Sequence, residues 1–144
     1  MRRVLRDERG QGILEFFVVV PALLLVFGLL IFFGKIWYAK IIAEEAAFDC
    51  TRTAIEALDR GQGMWQGQVA ARTTIARFLI HNPQNVRVRV TPMQDWERGG
   101  WVLCEVSYGV DLSGVPFIAW MARHPVLHVR AHYWGRVQEY KSAW

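Results

Sequence analysis

The chain has 144 residues, with Lys plus Arg 17 against Asp plus Glu 13, 53% hydrophobic residues and two cysteines. That length suits one small domain, and an apolar share above the globular norm beside only 21% charged residues excludes a disordered tail and directs attention to a membrane segment. The formal charge of +4 does not point to nucleic acid, because residues 1–10 hold four Arg against two acids and so carry half of it.

Those ten residues, MRRVLRDERG, read as a topogenic flank. From Ile13 to Phe33 the chain runs for 21 residues with one charge, Glu15, and about 20 helical residues cross a hydrocarbon core. By the positive-inside rule Arg2, Arg3, Arg6 and Arg9 stay in the cytoplasm, Trp37 and Tyr38 mark the opposite interface, and the domain beyond them is exported. The apolar run is longer than a signal-peptide core, and Gly34-Lys35-Ile36-Trp37 has no small-residue cleavage pattern. A retained anchor is expected, not a cleaved signal.

The helical pattern continues past the membrane. Ile36, Ala39, Ala43, Ala47, Cys50, Ala54 and Leu58 recur at three-to-four spacing and make one stripe, with Glu44, Glu45, Asp49, Arg52 and Glu56 mostly off it. This stem is expected to stop near Asp59, where Arg60-Gly61-Gln62-Gly63 supplies helix-ending glycines. A second, shorter helix is expected from about Gln66 to His81, with Val69, Thr73, Ala76 and Ile80 aligned and Asn82-Pro83 closing it. The period then falls to two. Val86, Val88 and Val90 alternate with Arg87 and Arg89 as an outward face, and after a turn at Asp95 to Gly100 Val102, Cys104, Val106, Tyr108, Val110 and Leu112 alternate likewise. A third strand places Leu127, Val129, Ala131 and Tyr133 on one face, and short connections favour an antiparallel meander. One face of the sheet needs a cover, and the stem offers it. The fold class is therefore α+β: a long N-terminal transmembrane and stem helix packed on a small antiparallel β-sheet, a pilin-like lollipop, with a second short helix. The division expected is a cytoplasmic leader at 1–10, a transmembrane helix at 11–34, an amphipathic stem at 35–60 and an exported α+β domain at 61–144.

The junction of leader and anchor is the most informative stretch: Arg9, Gly10, Gln11, then Glu15 and Phe16, then an apolar run holding Pro21. A glutamate at the centre of a membrane helix costs about 2.5 to 3.5 kcal/mol on insertion scales and less near an end, so Glu15 either snorkels to the interface or has a purpose. A basic leader ending in glycine, an acid five residues on, an aromatic and then a spanning helix resemble the processing site of type IV prepilins. The Glu15-Phe16 pair, the short leader, Pro21, the leucines Leu23 to Leu25 and the alanines Ala39, Ala43, Ala46 and Ala47 resemble the TadE-like pseudopilins of tight-adherence (Flp/Tad) pilus machines. The likeness covers about the first 60 residues closely and the strands only in outline. Phe16 stands where major Flp pilins have Tyr, and the domain is far longer than theirs, which disfavours the filament subunit itself. Cleavage after Gly12 would leave Glu15 out of the family's register, so Gly10 is the better bond.

The resemblance implies a minor pseudopilin that primes, caps or supports assembly of a Tad/Flp pilus serving adherence. Its implied partners are the membrane, other pseudopilins, the major pilin, the prepilin peptidase and the inner-membrane assembly platform. It implies a single pass through the bacterial inner membrane and no enzymatic activity. Cleavage would free the α-amino group of Gln11, which Glu15 of the same or a neighbouring subunit neutralises, relieving its burial. Pro21 lacks an N–H and opens the carbonyl ladder one turn back. Two alternatives stand beside this reading: a single-pass membrane protein whose exported domain binds or senses a ligand, and a type II secretion pseudopilin.

Other chemistry is not indicated. His124, His128 and His132 would stack on a helix, but in a strand His128 and His132 lie about 13 Å apart, too far for one metal ion. No phosphate loop, nucleophile elbow or Cys-x-x-Cys is present, so no cofactor, metal, catalytic residue or nucleic-acid partner is expected. The run from Val115 to Met121, with Phe117, Ile118, Trp120 and Met121, is either a lid over the sheet or an exposed patch for a partner pseudopilin. Cys50 on the stem stripe and Cys104 on the inward sheet face lie on surfaces that should meet. They are either a disulfide, which an oxidising exported compartment permits, or two buried thiols.

Overall fold

The computed structural model describes residues 8–78, 86–93, 99–115 and 126–137, with the backbone alone for residues 8–11, 13 and 14. Helix α1 runs from Glu8 to Glu56, 49 residues, and α2 from Arg60 to Arg77. Strands β1 (Val86–Pro92), β2 (Trp101–Asp111) and β3 (Val126–Arg136) follow. They form one antiparallel sheet in the order β1-β2-β3. The expected α+β class, with a long stem helix, a second helix and a meander, is what the chain adopts.

At about 1.5 Å per residue, α1 is some 73 Å long, and its two halves have different surroundings. Apart from Gly28 and Phe32, residues Phe16 to Phe33 stand exposed along the first half, whereas Ala39, Ile42, Ala43, Ala46, Ala47, Cys50, Thr51 and Ala54 are buried along the second. The buried stripe is made of small residues because the sheet and α2 both press on the same length of helix. Large side chains there would hold the three elements apart.

The sheet lies lengthwise on this half of α1. Val88↔Val106 and Val90↔Cys104 pair between β1 and β2, and Val106↔Ala131 and Tyr108↔Val129 between β2 and β3. These positions face the stem, and Arg87, Arg89, Arg130 and His132 alternate outward, as period-two patterning dictates. Strand β2 runs antiparallel to α1. Cys104 meets Cys50, while Tyr108 and Val110 meet Ala39 and Ile42; about 15 Å of helix is thereby matched by about 16 Å of strand.

Three sequence expectations are corrected. The stem helix ends at Glu56 rather than continuing to 60, and Leu58 lies beyond it, 74% exposed and off the stripe. The glycines at 61 and 63 do not end that helix. They sit inside the first turn of α2, whose N-cap is Asp59, with Oδ2 accepting from the N–H of Gly61 at 2.9 Å and of Gln62 at 3.4 Å; a capping carboxylate outweighs the weak helix propensity of glycine. The face of α2 that packs is Gly63, Gly67, Ala71, Thr74 and Ile75, while Val69, Thr73 and Ala76 point outward. The physical reason is close approach. A Cβ on Gly67 would stand 3.0 Å from the carbonyl oxygen of Cys50 and 3.2 Å from Cβ of Ala54. Ile80, His81, Asn82 and Pro83 lie outside the described residues.

Candidate functional site

The amino-terminal features sit on one uninterrupted helix. Gly10, Gln11, Glu15, Phe16 and Pro21 all belong to α1, and the Gly10–Gln11 bond lies in its first turn. Four residues separate Gln11 from Glu15, so both fall on one face, one turn apart. Pro21 interrupts the hydrogen-bond ladder without ending the helix. Glu15 is exposed, and the next charge along the chain is Lys35. Twenty residues of helix between them amount to about 30 Å, the thickness of a hydrocarbon core. In a helix that spans a membrane this position is the boundary, where a carboxylate costs less than at the centre.

This is the one helix among the described residues long and apolar enough to cross a membrane, and only 6% of its most apolar window is buried inside the fold. A soluble core helix would be covered by its own protein. This one leaves its apolar surface uncovered by the described residues, as a membrane anchor does.

The second focus is where α1, α2 and β2 converge. Cys50 and Cys104 form a disulfide across the helix–sheet interface, with Cα atoms 6.2 Å apart and both residues fully buried. Around it the contacts are polar as well as apolar. The Thr51 hydroxyl lies 2.9 Å from the carbonyl oxygen of Ala47 and 3.2 Å from that of Tyr133, so its proton can serve the helix or β3. The Thr74 hydroxyl donates to the Asp49 carboxylate, tying α2 to α1, and Lys40 Nζ donates to the Arg130 carbonyl oxygen at 3.3 Å. Gly135 of β3 lets the strand pass directly over the stem, because a Cβ there would collide with Cγ2 of Thr51.

Two exposed ion pairs lie on the stem, Arg52 with Glu56 at 3.7 Å and Lys40 with Glu44 at 3.6 Å. Such pairs contribute little. His128 and His132 lie on the outward sheet face, and His124 is outside the described residues. Among the described residues no cluster of three His, Cys, Asp or Glu side chains is placed to hold a metal ion. Phe117, Ile118, Trp120 and Met121 also lie outside the described residues; Val115, where that run begins, is buried in the core. Sequence reasoning missed the Gly63–Gly67–Ala71 seam that seats α2 against Cys50. Small residues at four-residue spacing were its only signal.

Comparison with known proteins bears on this helix. Residues 10–52 match the family described as TadE-like protein, a segment that begins at the glycine of the leader, covers the apolar run and ends two residues past Cys50. No curated protein and no solved structure matches the chain.

Proposed function

We propose, from the match of residues 10–52 to the TadE-like family, that the chain acts in a Tad pilus system as a minor pseudopilin which primes, caps or supports assembly of the pilus. The observation that carries this reading is the match itself, registered on Gly10 and running through an apolar span bracketed by Glu15 and Lys35. Residues 1–10 are read as a cytoplasmic leader, and the helix from 11 onward as the inner-membrane anchor, with the sheet domain on the exported side. The prepilin peptidase cuts between Gly10 and Gln11. The new amino group of Gln11 then stands one helical turn from Glu15 and can be neutralised by it, or by Glu15 of a neighbour as helices bundle. Phe16 and Pro21 set the packing just inside that boundary.

In this reading the protein's work is structural. Its partners are other pseudopilins, the major pilin, the peptidase and the assembly platform, all met through the exposed half of α1 and the exported domain. The deciding experiment is N-terminal mass spectrometry of the protein expressed in membranes with its peptidase. Processing at Gln11 is expected, and a bulky residue in place of Gly10 leaves the precursor uncut. An intact Met1 in the presence of active peptidase would overturn the reading and favour an uncleaved membrane-anchored binding domain.

A further inference from the structure

The assembly reading uses no named residue of the sheet face turned away from the stem, yet the composition of that face is ordered. Strand register places Arg89, Glu105 and His132 in one row and Arg87, Ser107 and Arg130 in the next. One step on from the Arg89 row stand Leu103 and Trp134, and beyond them Trp101 and Arg136. Successive rows lie about 6.8 Å apart and neighbouring strands about 4.8 Å apart. The basic end holds a shallow depression of about 210 Å³ lined by Arg87, Arg89, Glu105, Ser107 and Arg130.

Three guanidinium groups surround one carboxylate there, and no salt bridge or hydrogen bond joins the side chains of Arg87, Arg89 or Arg130 to another described residue. Among the described residues nothing neutralises the net positive charge of this site. At the other end two indoles stand in solvent, Trp101 at 45% and Trp134 at 49% exposure. They are not interfacial anchors. Gly135, next to Trp134 and paired with Val102, packs on Thr51 and Ile55, 16 to 20 residues of helix beyond Lys35, which puts this end about 24 to 30 Å from the membrane boundary.

We propose that this outer sheet face binds a carboxylated polysaccharide, a glycan bearing uronic acids. Each part of the face matches a part of that ligand. Guanidinium forks pair bidentately with planar carboxylates. The indoles offer flat apolar surfaces to the C–H faces of sugar rings, and Glu105 and Ser107 accept hydrogen bonds from sugar hydroxyls. Glu105 separates this ligand from DNA, whose backbone brings phosphates to repel it and no hydroxyls to satisfy it. The inference is independent of the pilus role, because it rests on the sheet face alone.

The test is isothermal titration of the full chain in detergent micelles with oligogalacturonate, with dextran oligomers as the neutral probe and single-stranded DNA as the phosphate probe. Oligogalacturonate is expected to bind and dextran not to. The double variant Arg87→Gln, Arg130→Gln is expected to weaken binding by about tenfold or more, the loss of at least one charge-assisted hydrogen bond. Trp134→Ala is expected to weaken binding while Arg60→Gln, on α2, leaves it unchanged. The variants lie on the surface, and circular dichroism with a non-reducing gel confirms that fold and disulfide persist. Any of three results overturns the proposal: no binding of oligogalacturonate at low salt, dextran binding equally well, or DNA binding as tightly as the uronate.

Discussion

Replacing both cysteines, Cys50→Ala with Cys104→Ala, isolates what the helix–sheet bridge contributes. The bridged residues are 54 apart in sequence. In the chain-entropy model, closing a loop of that size removes about 14 cal/mol/K from the unfolded chain, or about 4 kcal/mol at room temperature. Both cysteines are fully buried, so losing two sulfur atoms from a packed interior adds a cavity cost of about 1 kcal/mol. A domain of this size has only about 5–15 kcal/mol to lose, and the double variant is expected to unfold at a markedly lower denaturant concentration. The assay is urea unfolding of the full chain in micelles, followed by tryptophan fluorescence, with and without reductant. Reductant should destabilise the parent by a similar amount and leave the variant unmoved. A difference below about 1 kcal/mol between variant and parent, or two titratable thiols in the unfolded, unreduced parent, would refute the reasoning.

Gly67→Leu should destabilise by about 1–3 kcal/mol or more, because its side chain would push into the Cys50 carbonyl and Ala54; the midpoint of the same urea curve reads it out. Asp59→Ala removes the α2 cap and is expected to cost about 1 kcal/mol, with Asp59→Asn retaining most of it. Glu15→Ala should insert, remain stable and be processed, since Glu15 lies outside the core formed by the stem and sheet, yet fail to support pili; normal piliation counted by electron microscopy in that background would remove the charge-pairing role.

Much of the architecture could be read from the chain because its signals were periodic and apolar. The spanning run, the small-residue stripe Ala39–Ala43–Ala47–Cys50–Ala54 and the alternating valines of β1 and β2 each declare a period and a buried side. Two such faces each carry one sulfur, which leaves a disulfide or two buried thiols open, and in the structure the two are bonded. What escaped was the start and the packing face of α2, which begins at Arg60 rather than near Gln66. Hydropathy favours Val69, Thr73 and Ala76 as an inner face, but Gly63, Gly67 and Ala71 pack inward because contact between helices depends on how closely backbones approach as well as on side-chain hydrophobicity. Glycine has almost no hydropathy signal, so a seam built from it looks polar in sequence. Gly61 and Gly63 also mimic a terminator, and only the Asp59 carboxylate two residues earlier shows that a helix begins there. Leu127 and Tyr133 do lie on the stem-facing side of β3 but remain substantially exposed, because the stem is narrower than the sheet.

The bridge between Cys50 and Cys104 also determines how the molecule carries tension. A pull applied between the membrane anchor and the carboxy-terminal strand reaches Cys50 along α1, crosses the sulfurs to Cys104 and continues through the second half of β2 into β3. With a separation of 54, the 53 intervening residues, including all of α2 and β1, lie on a side branch that feels none of that force. Stretching can therefore peel β3 from the stem, but it cannot draw out the segment between the cysteines while the covalent shortcut holds. The domain's extensible length under a pull is set by the oxidation state of two atoms, and a reduced molecule would yield over a much longer contour than an oxidised one.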